Sequence, residues 1–208
     1  PLDVGLDPWM QPLLSAAKTT AYHTVLRGDG ANMPFPDAYF STLISNSVLE
    51  HIPGVDAVLV DACRVLKPGG YFYFCVPNHH FTDNLSISSF LERLGLKKWA
   101  ESYRKLFNRI SRHHHCDSPE IWQKRLEQAG FILNQYCHYF SPAALHVLEW
   151  GHYLGLPSWI IKKLTGKWIL VPKPWNLILV DKMIRRYYVQ PAEHEKCSYK
   201  FYIAQKLK

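Results

Sequence analysis

Residues 55–76, VDAVLVDACRVLKPGGYFYFCV, decide the fold. Apolar residues recur at helical spacing from Val55 to Leu66, which predicts an amphipathic helix with one buried face. The helix is expected to end at Lys67-Pro68-Gly69-Gly70, because proline and glycine do not continue a helix. The nearly all-apolar run Tyr71 to Val76 then predicts a strand that is covered on both faces, as in a parallel sheet flanked by helices.

The residues upstream of this stretch show the same alternation. Strands are predicted at Leu2 to Leu6, Thr20 to Leu26 and Phe40 to Ser45, and a helix over residues 9–18. Strands that alternate with helices at this spacing indicate a parallel sheet built of right-handed crossovers. The sequence therefore predicts an α/β fold, a three-layer sandwich with a mostly parallel sheet.

The second part of the chain is predicted to be less regular. The expected elements are a helical segment over 85–110, a helix from Pro119 to Ala129, a strand from Phe131 to Phe140, helical pieces over 142–188 and a strand from Lys200 to Ala204. Ser118 is the expected N-cap of the Pro119 helix, and Gly130 its expected end. We interpret residues 1–208 as one domain with helical insertions at 81–112 and 141–190.

The chain has 208 residues and a formal net charge of +7, which is distributed unevenly. Residues 1–80 hold 4 basic and 7 acidic residues, whereas residues 81–208 hold 20 and 10, together with six of the seven tryptophans. A basic, Trp-rich part favours an anionic partner, such as a phosphorylated substrate, a lipid headgroup or nucleic acid. A solvated basic surface that only keeps the protein in solution is the equally good alternative.

The five cysteines include no CxxC pair, which is typical of reduced, intracellular use rather than of a disulfide framework. Cys63 and Cys75 lie within apolar runs and are expected to pack as small hydrophobic residues. No run of about eighteen apolar residues predicts a membrane-spanning helix, and no signal peptide is visible. We therefore expect a cytoplasmic protein, with peripheral contact to an anionic membrane left open.

Polar residues stand at the ends of three successive predicted strands. Asp7 ends the first strand, Asp29 lies between glycines after the second, and Asn46 and Ser47 end the third. Open α/β sheets bind ligands at the carboxyl edge of their strands, where a carboxylate accepts both hydroxyls of a ribose. Each residue alone is equally typical of an ordinary turn, but the three together predict a nucleoside pocket.

Four blocks that contain these residues resemble, in this order, class I S-adenosylmethionine-dependent methyltransferases. They are VGLDP (Val4 to Pro8), GDGANMPFPD (Gly28 to Asp37), FSTLISNSVLEHI (Phe40 to Ile52) and RVLKPGGYFYFCVPN (Arg64 to Asn78). The resemblance implies a Rossmann-like fold, S-adenosylmethionine as cofactor and methyl transfer as activity. The cofactor-binding residues that it implies are Asp7, Pro8, Asp29, Gly30, Asn46 and Ser47. In the family, the acid matching Asp7 binds the ribose, the acid matching Asp29 lies by the adenine amine, and the residues matching Asn46 and Ser47 lie near the methionine part.

The chain departs from the family at its beginning. In the family, a first strand and a glycine-rich loop that cradles the methionine moiety precede the acid-ended strand, whereas this chain starts at that second strand. We expect the first strand to be missing because the chain is trimmed, since Pro1 is not a natural start. The alternative is a remnant that binds the cofactor poorly.

Several histidines are candidates for contact with the acceptor. His51, with Glu50 beside it, is the expected proton acceptor where the methyl acceptor must lose a proton; alternatively, both residues only begin the following helix, with His51 packed. His79, His80 and His113 are expected to line the acceptor pocket, although they are equally compatible with solvent-facing positions. Adjacent residues in a loop point in different directions, so the run His113 to Asp117 does not predict a metal site.

The apolar, aromatic and basic region over 142–188 is expected to form a lid for a lipid-like or aromatic acceptor, an interfacial surface, or an ordinary helical cap. The sequence as a whole predicts a methyltransferase that acts on a small or lipid-like molecule rather than on nucleic acid. The alternatives are an RNA or protein methyltransferase, and a degenerate domain that binds a partner or an anionic membrane.

Overall fold

The computed structural model describes residues 1–167, 175, 178–189 and 196–208, which form an α/β structure. The strands are β1 (Leu2–Asp7), β2 (Tyr22–Arg27), β3 (Phe40–Asn46), β4 (Leu66–Pro77), β5 (Phe131–Tyr139) and β6 (Tyr199–Lys206). The helices are α1 (Met10–Ala16), α2 (Val55–Val65), α3 (Ser86–Arg93), α4 (Lys97–Ser111), α5 (Pro119–Gln128), α6 (Pro142–Leu154), α7 (Leu156–Thr165) and α8 (Ile178–Tyr188). The predicted α/β class is confirmed. The part of the 142–188 prediction that falls on residues 168–174, 176 and 177 lies outside the described residues.

The strands are divided between two sheets. β1 and β2 pair in parallel, with Asp7 opposite Arg27 at their carboxyl ends. The other sheet has the order β3-β4-β6-β5, and its β3–β4 pair is also parallel, with Asn46 opposite Cys75. The sequence predicted one sheet. In the part of the chain that the structure describes, β1 pairs only with β2 and β3 only with β4, so the strands form two sheets.

The chain folds as two compact units. The first comprises residues 1–75, 117–136 and 202–208, and the second comprises residues 76–116 and 137–201. The two predicted helical insertions, 81–112 and 141–190, both fall in the second unit.

The core of the first unit contains buried side chains from α2, α5, β4 and β6. Helix α2 buries the apolar face that its periodicity predicted, since Val55, Val58, Leu59 and Ala62 are all buried. On β4, the buried ring of Phe74 stacks on Tyr202 with centroids 4.8 Å apart, and it contacts Trp122 of α5. Each such side chain contributes roughly 1.5–3 kcal/mol through burial, so these contacts hold the strands in place.

The second unit has a separate apolar cluster. It consists of Phe81, Leu85, Phe107 and Leu145, with Tyr103, Cys116, Phe140 and Tyr199 packed against it. Residues from α4, α6 and β6 therefore share one core. Among the described residues, no helix has the length and hydropathy to cross a membrane.

The turn between α2 and β4 differs from the prediction. Helix α2 ends at Val65 as expected, but Lys67 to Gly70 already belongs to β4. Gly69 has a φ of +77°, which favours glycine, and its carbonyl accepts a 2.9 Å hydrogen bond from Gln205 Nε2. A Cβ on Gly70 would lie 3.0 Å from the Ser41 carbonyl oxygen, so neither glycine can be replaced without strain.

Both ends of α5 lie where they were predicted, at Ser118 and Gly130. Gly130 follows the helix with a φ of +93°, as a glycine that ends a helix does. Ser118 is at the N-cap position, but its side chain makes no capping hydrogen bond. The N-terminal turn relies instead on Pro119, which has no N–H group to satisfy.

Candidate functional site

Asp7 lies at the carboxyl end of β1, as predicted. Its Oδ1 atom accepts a 2.7 Å hydrogen bond from the backbone N–H of Trp9, which orients the carboxylate. The Asp7 carbonyl accepts from the backbone N–H of Gly28 at 3.2 Å, and the Pro8 carbonyl accepts from Arg27 Nε at 3.1 Å. These bonds join the end of β1 to the end of β2, so Asp7 and the loop that follows β2 are held at one edge.

The loop after β2 is a tight turn around Asp29. Asp29 Oδ1 accepts from the backbone N–H of Ala31 at 2.9 Å, and the Asp29 carbonyl accepts from the N–H of Asn32 at 3.1 Å. A Cβ on Gly30 would lie 3.3 Å from a Val58 methyl carbon, so glycine allows the turn to approach α2 closely. In both Asp7 and Asp29, one oxygen anchors the backbone, and the second is available as an acceptor.

A pair of charged residues on α2 fixes the rest of this loop. Asp61 Oδ2 accepts a 2.6 Å hydrogen bond from the N–H of Met33, and Asp61 Oδ1 accepts from Arg64 Nε at 2.7 Å. The Arg64 guanidinium also donates to the carbonyls of Phe35 and Met33 at 2.7 and 3.0 Å. The hydrogen bond from Arg64 is the main reason that the pKa of Asp61 lies below its ordinary value.

The role of Asp61 and Arg64 in holding this loop was not predicted from the sequence. Asp61 and Arg64 stand three residues apart in a helix whose other turns are largely apolar, and this spacing was the available signal. Their backbone partners lie about thirty residues upstream, at positions that only the tertiary structure brings close.

Asn46 and Ser47 lie at the carboxyl end of β3, next to the end of β4. The buried thiol of Cys75 donates a 2.7 Å hydrogen bond to Asn46 Oδ1, which leaves the amide N–H groups as donors. The backbone N–H of Ser47 donates to the Cys75 carbonyl at 3.1 Å. Ser47 has a φ of +51°, a strained conformation of the kind that persists where surrounding contacts fix it.

Glu50 and His51 lie in a 3-10 turn, Leu49–His51, and not at the start of α2. The alternative interpretation expected His51 to be packed, but its side chain is 41% exposed. Glu50 is the buried residue of the two, at 1% exposed. Glu50 Oε1 lies 3.8 Å from His51 Nε2, and Glu50 Oε2 is buried without a hydrogen-bond partner among the described residues. Burial therefore raises the pKa of Glu50 above its ordinary value, although a backbone hydrogen bond and His51 oppose the effect.

The other predicted histidines belong to the second unit. The rings of His79 and His80 are in contact, with centroids 3.9 Å apart. His113 packs edge-on against Phe81 at 4.8 Å, and its Nδ1 atom lies 3.7 Å from the Cys116 sulfur. Their contact with an acceptor stays a prediction.

The residues of the first unit fit the nucleoside part of a cofactor. Parallel strands present Asp7 and the Asp29 turn at one edge, and each carboxylate has an oxygen to accept from hydroxyl or amine groups. A separate groove of about 510 Å³ is lined by Asp56, Glu120, Ile121, Lys124, Arg125 and Gln128. It contains none of the strand-end residues and is not the candidate site.

All five cysteines are free, as the sequence led us to expect. Cys63 and Cys75 are both buried, as predicted. Burial raises the pKa of the Cys63 thiol above its ordinary value, so it is protonated and suited to packing.

Comparisons with known proteins identify a methyltransferase domain in the first part of the chain. Residues 4–74, about a third of the chain, match the family described as "Methyltransferase domain". A ubiquinone/menaquinone biosynthesis C-methyltransferase of Caulobacter sp. (strain K31) is 30% identical over 112 residues, which cover 50% of this chain and 43% of that protein. A fatty-acid O-methyltransferase of Mycolicibacterium smegmatis is 37% identical over 49 residues, which cover 24% of this chain and 18% of that protein. The chain thus spans less than half the length of these relatives.

A solved structure shows the same fold over nearly the whole chain. Phosphoethanolamine N-methyltransferase 2 of Haemonchus contortus, in complex with S-adenosyl-L-methionine, matches with a TM-score of 0.56 at 16% identity. The match covers 99% of this chain and 43% of that chain.

Proposed function

We propose that this protein, which carries a class I S-adenosylmethionine-dependent methyltransferase domain, transfers a methyl group to a small or lipid-like acceptor. One observation carries the proposal. Asp7, Asp29 and the Asn46-Ser47 pair follow three successive strands of one unit, and the backbone and side-chain bonds around them hold each in place.

The chain's own residues would act by binding and orientation. S-adenosylmethionine supplies an activated methyl group on its sulfonium, so the protein mainly aligns donor and acceptor and excludes water. Asp7 would accept from the ribose hydroxyls through the oxygen that Trp9 leaves available. Asp29 would accept from the adenine amine, and the Asn46 amide would donate towards the methionine part.

Glu50 and His51 would serve an acceptor that must lose a proton. The exposed imidazole of His51 is the group that could take the proton, because a neutral imidazole nitrogen accepts a proton in general base catalysis. The buried Glu50 carboxyl, whose Oε1 atom lies 3.8 Å from His51 Nε2, would position the imidazole. We therefore assign His51 the contact with the acceptor and Glu50 a positioning role.

Two observations support a small or lipid-like acceptor. The two sequence relatives are named as a ubiquinone/menaquinone biosynthesis C-methyltransferase and a fatty-acid O-methyltransferase, and both names refer to apolar molecules. The segment over 142–188 is rich in tryptophan and aliphatic residues, which suit an apolar acceptor.

Calorimetric titration of the full-length protein with S-adenosylhomocysteine tests the cofactor site. Asp7→Ala should weaken binding by about 1–3 kcal/mol, because ribose hydroxyls lose their acceptor. Asp3→Ala is the matched control, since Asp3 is exposed near the opposite end of β1 and should bind as the wild type does. Equal affinity of the Asp7 variant and the wild type would remove Asp7 from the site. If the full-length wild type itself fails to bind, the domain does not use this cofactor and the binding-module alternative replaces the proposal.

Transfer of a labelled methyl group tests the acceptor class. We expect label in lipid or small-molecule fractions and not in RNA or protein. His51→Ala should lower turnover and leave the affinity for S-adenosylhomocysteine unchanged, whereas His23→Ala, at an exposed position on β2, should do neither. The basic second part of the chain favours RNA as the second candidate. Label in RNA, with affinity that falls steeply as salt is added, would support RNA and exclude the lipid-like acceptor.

A further inference from the structure

Helix α7 exposes large apolar side chains to solvent. Trp159 is 46% exposed, Ile160 53% and Leu164 80%. Residues four apart lie on the same side of a helix, so Ile160 and Leu164 form one row, and Trp159 lies in the row beside it. Isolated exposed apolar residues are ordinary, but a contiguous apolar strip marks a surface that contacts something.

Three lysines lie on the same helix or just after it. Lys162, Lys163 and Lys167 are exposed, and Lys163 Nζ lies 4.2 Å from the centre of the Trp159 ring. The sequence has no aspartate or glutamate from Trp150 to Val180. The α7 surface, defined as Trp159, Ile160, Lys162, Lys163, Leu164 and Lys167, therefore joins positive charge to apolar area without nearby acidic residues in sequence.

Helix α4 of the same unit provides a contrast. It is also basic and exposes Trp99, but two of its cations form ion pairs with glutamates. Lys105 pairs with Glu101 at 2.7 Å, and Arg104 pairs with Glu92 of α3 at 2.8 Å. The segment around α7 differs because it contains no acidic residue from Trp150 to Val180, and a surface of this composition suits an external anion.

We propose that the α7 surface docks on an anionic lipid bilayer. A basic helix with tryptophan and aliphatic residues lies in the plane of the interface, with its apolar side chains among the acyl chains and its lysines at the headgroups. Nucleic acid is the other polyanion that the lysines could bind. Ile160 and Leu164 favour the bilayer, because nucleic acid offers phosphates to the lysines but no apolar phase for aliphatic side chains. This binding does not depend on the proposed methyl transfer.

Vesicle flotation of the full-length protein tests the proposal. The wild type should bind vesicles of mixed phosphatidylcholine and phosphatidylglycerol and not vesicles of phosphatidylcholine alone. Replacing Lys162, Lys163 and Lys167 by Gln should weaken binding by about fivefold per lysine. The double variant Ile160→Ser and Leu164→Ser should also weaken binding at least about tenfold. Because these side chains are exposed, their replacement removes little packing within the protein.

The matched control removes three lysines from α4. Lys97→Gln, Lys98→Gln and Lys105→Gln lower the net charge by the same amount, and the triple variant should bind within about twofold of the wild type. An equal loss in the α4 and α7 variants would overturn the proposal, because net charge alone would then explain binding. So would a wild type that does not distinguish the two vesicle types. If Ile160→Ser and Leu164→Ser leave binding unchanged while a single-stranded RNA binds through the α7 lysines, the surface is a nucleic-acid site instead.

Discussion

The thiol of Cys75 and the side-chain oxygen of Asn46 form a 2.7 Å hydrogen bond that links the carboxyl ends of β4 and β3. The bond fixes a side chain of the candidate site from a buried position. Cys75→Ala should therefore weaken S-adenosylhomocysteine binding to the full-length protein by about 1 kcal/mol, because Asn46 loses its orienting donor. Isothermal titration measures this difference.

Two further variants separate orientation from packing. Cys75→Ser retains a donor and should recover most of the affinity. Cys63→Ala removes a buried thiol of the same unit that lies on α2, and it should lower stability without changing affinity. If all three variants lose affinity equally, the Cys75–Asn46 bond has no specific role.

The carboxylate of Asp61 should contribute more to stability than that of Asp37, although both accept from Arg64. The Asp61 side chain is 12% exposed and also holds the N–H of Met33, whereas Asp37 is 80% exposed. We expect Asp61→Asn to cost about 1–3 kcal/mol and Asp37→Asn less than about 1 kcal/mol, as is usual for a surface pair. Urea unfolding at neutral pH compares the two.

The effect of Asp61 should depend on pH. Because its pKa is lowered in the folded state, its contribution is full above the ordinary aspartate pKa and is lost as the pH falls through the lowered value. The stability gap between the wild type and Asp61→Asn should therefore narrow in acid. A gap that widens in acid would contradict the proposed charge pairing with Arg64.

The ionised carboxylate of Glu50 should lower the stability of the protein, whereas that of Asp61 should raise it. The pKa of Glu50 is raised, so its favourable contribution is present below the ordinary glutamate pKa and is lost as the pH rises through the raised value. At neutral pH, Glu50→Gln should raise Tm by roughly 2–4 °C, the shift that corresponds to about 1 kcal/mol in a chain of this size. The advantage should vanish near about pH 4, where the wild-type carboxyl is also neutral. Glu120→Gln, at an exposed position of α5, should show no such pH dependence.

Glu149 of α6 should contribute to the free energy of unfolding of the second unit. Its carboxylate is fully buried and accepts from the N–H and hydroxyl of Ser86, both at 2.6 Å, and from the Tyr103 hydroxyl at 2.7 Å. These bonds satisfy the N-terminus of α3, whose own N-cap residue, Leu85, has no polar side chain. Glu149→Gln turns an amide towards these donors and should cost about 1–3 kcal/mol in urea unfolding. Glu101→Gln removes only a surface ion pair of α4 and should lower stability much less than Glu149→Gln.

Local chemistry explains how much of the fold was predictable. The run Tyr71 to Val76 is a strand as predicted, but Tyr71 is 37% exposed, so only one of its faces is fully covered. The pattern from Val55 to Leu66 predicted the buried face of α2. Asp7 and Asn46 were predicted at strand ends because a polar residue that closes an apolar run marks an edge. The division into two sheets was not predictable, since strand pairing depends on distant backbone contacts.

The less predictable features all depend on contacts far along the chain. Glu149 meets Ser86 across 63 residues, and no pattern within α6 distinguishes it from a surface acid. The opposite burial of Glu50 and His51 also escaped prediction, because neighbours in a short turn face different surroundings. Sequence patterns thus placed the strand ends, and tertiary contacts determined which neighbouring side chains support them.

The backbone of Ser47 has a consequence for protein engineering. A glycine there would adopt the φ of +51° without strain, so a search for stabilising substitutions in this chain would be expected to select Ser47→Gly. The same substitution deletes a hydroxyl from the edge where the cofactor is proposed to bind. The Ser47→Gly variant is therefore expected to be more heat-resistant and less active than the wild type.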